Sequence, residues 1–419
     1  MEVREASAKY LPPEAEGCPA GYKQTEVGLV PLDWEVISLD KFADVTSGKR
    51  LPLGRSLTEH ETPHPYIRVS DMRPGYVCVD EIRYVPVDVF PKIKRYRIYT
   101  DDIFISVAGT LGIVGKIPKR LNGANLTENA DRITNIKCSQ NYLLHVLMSP
   151  LIQSKIESIQ TVGAQPKLAL TRIRKFEIPL PPTDREQQAI ASALSDADAL
   201  IESLSQLLAK KRQIKQGAMQ ELLTGKRRLP GFSGEWDVKR LGSVLKFQVG
   251  FPFSSIYFND EFQGIRLIKN RDLKASDQII SYTGDYRHEF LVKDGDLLIG
   301  MDGDFIPCLW GEGVALLNQR VGRVIPLSGL DAKFAYYYLI APLKKIEDST
   351  SSTTVKHLSH GDVEGIEEPL PEVEEQIAIA TTLSDMDAEI ATLEAKLAKA
   401  RQLKQGMMQA LLTGRIRLV

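Results

Sequence analysis

A 44-residue block, EQQAIASALSDADALIESLSQLLAKKRQIKQGAMQELLTGKRRL from Glu186 to Leu229, returns 189 positions later as EQIAIATTLSDMDAEIATLEAKLAKARQLKQGMMQALLTGRIRL, Glu375 to Leu418. The two copies are identical at about 28 of 44 positions. Solenoid repeats run to about 20–50 residues, so this period excludes one. The duplicated unit is a globular module plus a long helix, and the chain is expected to be a two-fold dimer written on one polypeptide.

Within the first block Ile190, Leu194, Ala197, Ile201, Leu204, Leu208 and Lys211 fall at alternating steps of four and three. Ile379, Leu383, Met386, Ile390, Leu393, Leu397 and Ala400 repeat that register. Each helix therefore offers a narrow heptad seam, suited to a coiled coil with the other. The alternative is two amphipathic helices, each lying on its own module. Pro181, Pro182, Thr183 and Asp184 mark one start, Pro371 and Glu372 the other, and each block ends at Leu-Leu-Thr-Gly. Gly225 and Gly414 stand where left-handed C-caps belong, with Lys226, Arg227, Arg228 and Arg415, Arg417 placed to complement the carbonyl end of the dipole. Helices of roughly 40 residues are about 60 Å long. Gly217 and Gly406 sit at matching interior positions, where glycine costs about 1 kcal/mol. A close helix crossing or a bend is expected there.

The segments between the helices alternate short β-rich runs, such as DDIFISVAG and DGDLLIGMDG, with turns, and each closes with a helix. An α+β module fits both. The expected organisation is an N-terminal arm (1–19), a first module (20–182), a first long helix (183–229), a second module (230–370) and a second long helix (371–419). The modules align sparsely: Trp34 with Trp236, Gly48 with Gly250, Ile67-Arg68 with Ile265-Arg266, Asp102 with Asp296, Arg132 with Arg323, Pro150 with Pro342. Near-identical helices beside divergent modules mean a constant frame with differing faces, as reading a bipartite, asymmetric partner requires.

The net charge of -1 conceals segregation. Residues 31–182 carry about 21 basic and 16 acidic side chains, residues 230–368 about 15 and 20. Any nucleic-acid contact must come from local basic surfaces, or a partner must neutralise much of the phosphate charge. The N-terminus has no apolar core of a signal peptide and no run of eighteen apolar residues exists, so a cytoplasmic protein without a membrane span is expected. Cys18, Cys78, Cys138 and Cys308 are isolated, without zinc or disulfide spacing.

No catalytic or metal constellation is legible. AGTLGIVGK, Ala108 to Lys116, misses the phosphate-loop pattern because Thr110 stands where the first glycine belongs and Ile117 follows Lys116. His357 and His360 form the one close histidine pair, without accompanying ligands. Contact surfaces are more readable. RYVPVDVFPKIKRYRIY sets Arg83, Lys92, Lys94, Arg95 and Arg97 among Tyr84, Phe90, Tyr96 and Tyr99, a pattern able to straddle phosphates and sugars. A solvated hairpin with snorkelling lysines is the alternative. IRLIKNRDLKASD offers Arg266, Lys269, Asn270, Arg271 and Lys274, types that read guanine and adenine edges. IRVSDMRPG offers Arg68 and Arg73 at the equivalent place, and Arg172, Arg174 and Lys175 lie before the first long helix as backbone-positioning candidates.

GYKQTEVGLVPLDWEVISL, IPLPPTDREQQAIASALSDADALI, KQGAMQELLTGKRRLPGFSGEWDVKRL and the duplicated LLTGxxRL resemble the specificity subunit of type I restriction-modification systems, over nearly the whole chain beyond residue 20. The resemblance implies two target-recognition domains separated by two long antiparallel coiled-coil helices, each domain reading one half of a double-stranded DNA site across a fixed gap. Spacing alone leaves parallel and antiparallel helices open; the resemblance selects antiparallel. It also implies two methyltransferase subunits around the helices, two restriction subunits in the full complex, and no catalysis by this chain. S-adenosylmethionine, ATP and Mg are then expected on those partners, with no cofactor here. A coiled-coil scaffold whose modules bind proteins, and an enzyme with an unrecognised site, are the competing classes. A scaffold predicts no DNA footprint alongside the methyltransferase; an enzyme predicts turnover by the purified chain.

Overall fold

The computed structural model describes residues 18–160, 166–275, 277–349 and 356–418, so the expected N-terminal arm lies almost wholly outside the described residues. The chain forms two compact units, one of residues up to Leu204 together with Lys396–Val419, the other Ser205–Ala395. Each long helix thus contributes to both units, and the unit boundaries cut the helices in place of following the expected module limits.

The first long helix runs Asp184–Leu222 and the second Val373–Leu411. Thr183 Oγ1 accepts the Glu186 amide at 3.2 Å, capping the first helix where the sequence places its start. Gly225 (φ +67°) and Gly414 (φ +68°) end both turns in the left-handed conformation expected of them. In the first unit Lys404 reaches Asp198 at 2.5 Å; in the second, Lys211 reaches Glu389 at 2.6 Å and Lys215 reaches Asp387 at 2.5 Å. Partners in the second unit therefore fall in number along one helix as they rise along the other, and in the first unit Arg417, past the end of the second helix, meets Glu186 in the first turn of the first, so the pairing within each unit is antiparallel.

Both readings of the apolar stripe hold, on different stretches. Ile190 and Leu194 are buried in the core of the first module, and Ile379 and Leu383 in that of the second. Leu208, Leu393 and Leu397 are buried along the helix seam, while Ile201, Leu204, Met386 and Ile390 are only half-buried. The close crossing expected at Gly217 and Gly406 is absent: a Cβ at either position would meet no atom within 4 Å outside its own stretch of helix. No close crossing requires these glycines.

Despite their sparse alignment the modules share one topology. In the first, an antiparallel sheet runs in the order Asp44–Ser47, Ala130–Thr134, Ile103–Ser106, Val114–Lys116. In the second, Leu245–Val249, Val321–Pro326, Leu297–Gly300 and Pro307–Leu309 repeat it. Ile103–Ser106 and Leu297–Gly300 are buried at every position, which is why these central strands read as continuous apolar runs without alternation. A second sheet carries a parallel pair in each module, Pro65–Ile67 with Ala124–Leu126 and Ile265–Ile268 with Ala315–Leu317. A two-stranded clamp, Glu35–Ser38 with Glu177–Leu180 and Asp237–Arg240 with Glu367–Leu370, leads into each long helix.

Gly48 and Gly250 occupy equivalent places for one steric reason. A Cβ would stand 2.1 Å from the Thr127 and Asn318 carbonyl oxygens respectively, so only glycine lets the backbone pass. The alignment of Ile67-Arg68 with Ile265-Arg266 is out by three residues. Structurally Arg68 matches Lys269: both open a 3-10 turn whose third residue, Asp71 or Asp272, accepts the opener's amide at 2.8 Å. Short strands of unlike sequence left that register undetermined.

Candidate nucleic-acid interface

Around residues 83–99 the chain builds neither a hairpin nor a uniform basic strip. Arg83–Tyr84 is an edge strand on Pro65–Ile67, and Phe90–Ile93 is a single helical turn held by buried Ile93, whose carbonyl accepts from Asn125 Nδ2 at 2.8 Å. That turn exposes Lys92, and Lys94 and Arg95 after it are exposed too. Arg95 lies 5.0 Å from the Tyr96 ring centroid and donates to the Tyr96 hydroxyl at 2.8 Å, while Lys49 Nζ stands 6.0 Å above the same ring. Arg132 fixes this platform from beneath, donating to Thr46 Oγ1 at 2.8 Å and to the Arg95 carbonyl at 3.2 Å. Arg97 stacks 5.4 Å from the Tyr99 ring. Lys49 carried no separate signal in the sequence; only the return of its loop onto Tyr96 adds it.

Other candidates are tied to the protein itself. Arg83 pairs with Glu59. Arg68 donates twice to buried Asp71, at 3.1 and 2.6 Å, and to the Glu81 carbonyl at 2.8 Å; the bond to Asp71 raises its pKa further. Arg73 donates to the Ser70 and Met72 carbonyls at 2.8 Å. Arg174 donates to the Val45 carbonyl at 2.9 Å, and both it and Arg172 are exposed.

The second module differs in kind. Arg266 lies 4.9 Å from the Trp310 ring centroid and pairs with Glu312; Lys274 pairs with Asp304, and Arg271 reaches Asp272 at 3.6 Å. Burial lowers the Lys269 pKa, opposed by Asp272. Asn270 donates to the Asp302 carbonyl at 2.7 Å, packed so tightly on Gly300 that a Cβ there would meet its Oδ1 at 2.2 Å. Three cations of this predicted reading set, Arg266, Arg271 and Lys274, thus have a carboxylate of the same module beside them. Beside it lies an aromatic cluster, Phe251, Phe253, Tyr257, Tyr282 and Phe290, with centroid separations of 4.8–6.5 Å. Phe251 and Tyr257 are exposed on its rim, as are Ile256, Phe262 and Tyr286 elsewhere on the module. The residues FPFSSIYF carried that signal in the sequence, but the search for cations passed over it.

The arginines at the helix ends also depart from expectation. Arg417 donates to Glu186 Oε2 at 2.8 Å and to both Asp33 oxygens at 2.9 and 3.0 Å; Arg228 donates to Glu375 Oε1 at 2.6 Å. Each joins the first turn of the other long helix, not its own carbonyl end, and lies over Trp34 (5.8 Å) or Trp236 (5.6 Å). AGTLGIVGK is the turn between strands Ile103–Ser106 and Val114–Lys116, with Gly109 and Gly112 at positive φ. His357 Nδ1 meets Asp302 at 2.9 Å, and among the described residues no three His, Cys, Asp or Glu side chains converge on a point that could hold a metal. Among them, too, no helix is long and apolar enough to cross a membrane.

Two modules of one topology with differently built faces, joined by a duplicated helix, match the type I restriction modification DNA specificity domain family, whose model covers residues 31–213 and 233–402. The chain belongs to that family. It is 27% identical to a putative type I restriction enzyme MjaX specificity subunit of Methanocaldococcus jannaschii, over 94% of this chain and 96% of that protein. It is 35% identical over 181 residues to the EcoBI specificity subunit of Escherichia coli, covering 42% of this chain and 38% of the other. In fold it is similar to the type I restriction-modification S subunit of M. genitalium, with a TM-score of 0.56 at 16% identity over 90% of this chain and 96% of that one. A chain from a study of type I R-M complex assembly and conformational transition gives 0.55 at 17% identity, over 92% and 99%. The fold is α+β, a duplicated target-recognition module with two long antiparallel helices, as the family resemblance implied.

Proposed function

We propose that this specificity subunit reads a bipartite, asymmetric DNA site, one target-recognition domain per half-site, and docks the adenine methyltransferase and restriction subunits without catalysing a reaction itself. The observation that carries this reading is the contrast between modules of equal topology: a cation and tyrosine platform at Lys49, Arg95 and Tyr96 in one, an aromatic rim at Phe251 and Tyr257 in the other. Cations neutralise phosphates, and exposed rings pack on sugars and bases. Two unlike faces on one frame suit two unlike half-sites.

Docking of a partner in two copies is supported by a matched pair of apolar grooves. One of about 530 Å³ is lined by Met219, Leu223 and Pro342, the other of about 240 Å³ by Met408, Leu412 and Pro150. These residues recur at equivalent positions of the duplicated units. S-adenosylmethionine, ATP and Mg belong, on this reading, to the partners. Phosphate contact shared with those partners accounts for the near-neutral charge, so the isolated chain binds DNA weakly, with a shallow salt dependence that steepens when the methyltransferase joins.

The test is base-resolution mapping of methylated adenines in cells carrying this subunit with its methyltransferase, repeated after exchange of residues 31–182. Exchange changes one half of the site. A change in both halves, or in neither, overturns independent reading.

A further inference from the structure

Leu53 is fully exposed, at 104% of its reference area, the most exposed large apolar side chain among the described residues. It does not sit on a slack loop. The Arg55 amide donates to the Pro52 carbonyl at 3.1 Å across Leu53 and Gly54, and Gly54 has the φ of +76° that a type II turn demands at its third residue. Below the turn the Lys49 amide donates to the Leu126 carbonyl at 2.8 Å and the Tyr66 hydroxyl to the Lys49 carbonyl at 3.0 Å. Arg50 reaches Glu128 at 3.4 Å on one flank and Arg55 pairs with Asp88 on the other, while Leu51 and Leu57 pack against the module's core. The result is a braced fingertip carrying one aliphatic side chain, beside the Lys49, Arg95 and Tyr96 platform.

The same loop of the second module, with no sequence in common after its glycine, ends the same way. Three residues beyond Gly250, Phe253 is buried as an anchor, as Leu51 is half-buried three residues beyond Gly48. Ile256 then projects, 79% exposed, from the 3-10 turn Ser255–Tyr257, which the Tyr257 amide closes on the Ser254 carbonyl at 3.2 Å and the Thr283 amide braces at 3.1 Å. A lone exposed aliphatic residue needs no explanation. A braced one, carried by the same loop of two divergent modules, five residues past Gly48 in one and six past Gly250 in the other, and flanked by cations in the first, has the form of an apolar wedge pressed between base steps.

We propose that Leu53 and Ile256 are such wedges: each enters the stack of its own half-site and bends the duplex there. The proposal rests on the DNA-reading function above. Burying a leucine side chain contributes enough to change affinity about 10- to 100-fold. It displaces no counterions, so its loss leaves the salt slope unaltered.

The test uses the full chain with its methyltransferase on the mapped site, measuring affinity against salt and bending by the gel mobility of circularly permuted fragments. Leu53→Ala is expected to weaken binding about 10- to 100-fold at unchanged salt slope and to reduce the bend in the half-site read by residues 31–182. Leu53→Phe restores both, and Ile256→Ala acts on the other half. Because both side chains stand in solvent, neither variant shifts the melting temperature. Binding by Leu53→Ala within twofold of wild type overturns the wedge and leaves the DNA reading standing. So does weaker binding with the bend intact, which marks a plain apolar contact such as a thymine methyl. A wild-type complex that protects no site on any DNA overturns the DNA reading itself, and the wedge with it.

Discussion

Arg417 donates to Glu186 across the first unit, and Arg228 repeats the contact with Glu375 in the second. Both glutamates are buried in the first turn of a long helix, at 1% and 2% side-chain exposure, whereas the arginines keep 29% and 22%. A carboxylate removed from water needs this charge-assisted partner.

Removal of either arginine is therefore expected to be far more damaging than loss of a surface ion pair. Arg417→Ala and Arg228→Ala each cost about 3 kcal/mol, because the buried carboxylate remains behind. Lysine replacements recover only part of this, lacking the planar fork that engages two oxygens. Urea unfolding followed by tryptophan emission measures both, since Trp34 and Trp236 lie beneath the two guanidiniums. Alanine variants with unshifted midpoints would show that water already screens these pairs.

A pH dependence follows from His145. It is buried with Nε2 3.1 Å from Ser195 Oγ, and Asp198 stands 4.0 Å from Nδ1. Burial holds its pKa down to about 4, against the pull of Asp198 and with help from Lys404 and Lys116. The unfolded histidine accepts a proton near 6.5, so stability from the neutral ring is fully present above that pH and is lost as pH falls toward 4. The loss is on the order of 3 kcal/mol. Comparing the pH dependence of the urea midpoint for wild type and His145→Gln isolates it; parallel curves down to pH 4 would exclude this residue as the cause.

Gly217→Ala and Gly406→Ala are expected to stabilise the chain, by about 1 kcal/mol each, because the added methyl meets open space and the helix gains propensity. A rise in melting temperature for each, roughly additive in the double variant, is the expected result. Destabilisation would mean that these positions leave the helical conformation.

The cations separate into two groups that DNA binding can tell apart. Lys94→Ala and Arg95→Ala each lower the salt slope by about 1 with little effect on melting. Arg68→Ala acts through Asp71, which it leaves buried, and so lowers stability before it lowers affinity. Equal losses of slope in all three variants would remove the distinction.

The long helices were legible because their signals are local: a heptad register, prolines before each start and Gly225 and Gly414 after each end. Identity between the copies amplified them. The modules were less so, since strands such as Met72–Arg73 and Arg83–Tyr84 are two residues long, too short to show a period. Their pairing is decided by partners far along the chain, which is how Arg68 came to be aligned three residues from its match, Lys269. Among the candidate contacts, residue type identified Lys94 and Arg95 but not which arginines a neighbouring carboxylate captures. Arg266 and Arg95 read alike in sequence; only the fold sets Glu312 beside the first.

Met408, Leu411 and Leu412 complete a core otherwise formed by residues between Val30 and Leu194, whereas the second unit draws on nothing beyond Ala395. During synthesis the domain begun first is therefore finished last. While the second unit already holds every residue it needs, the first still waits for the closing turns of the final helix. A nascent chain stalled or cleaved short of Met408 is thus left with a second unit that has all its core residues and a first one whose core is still open.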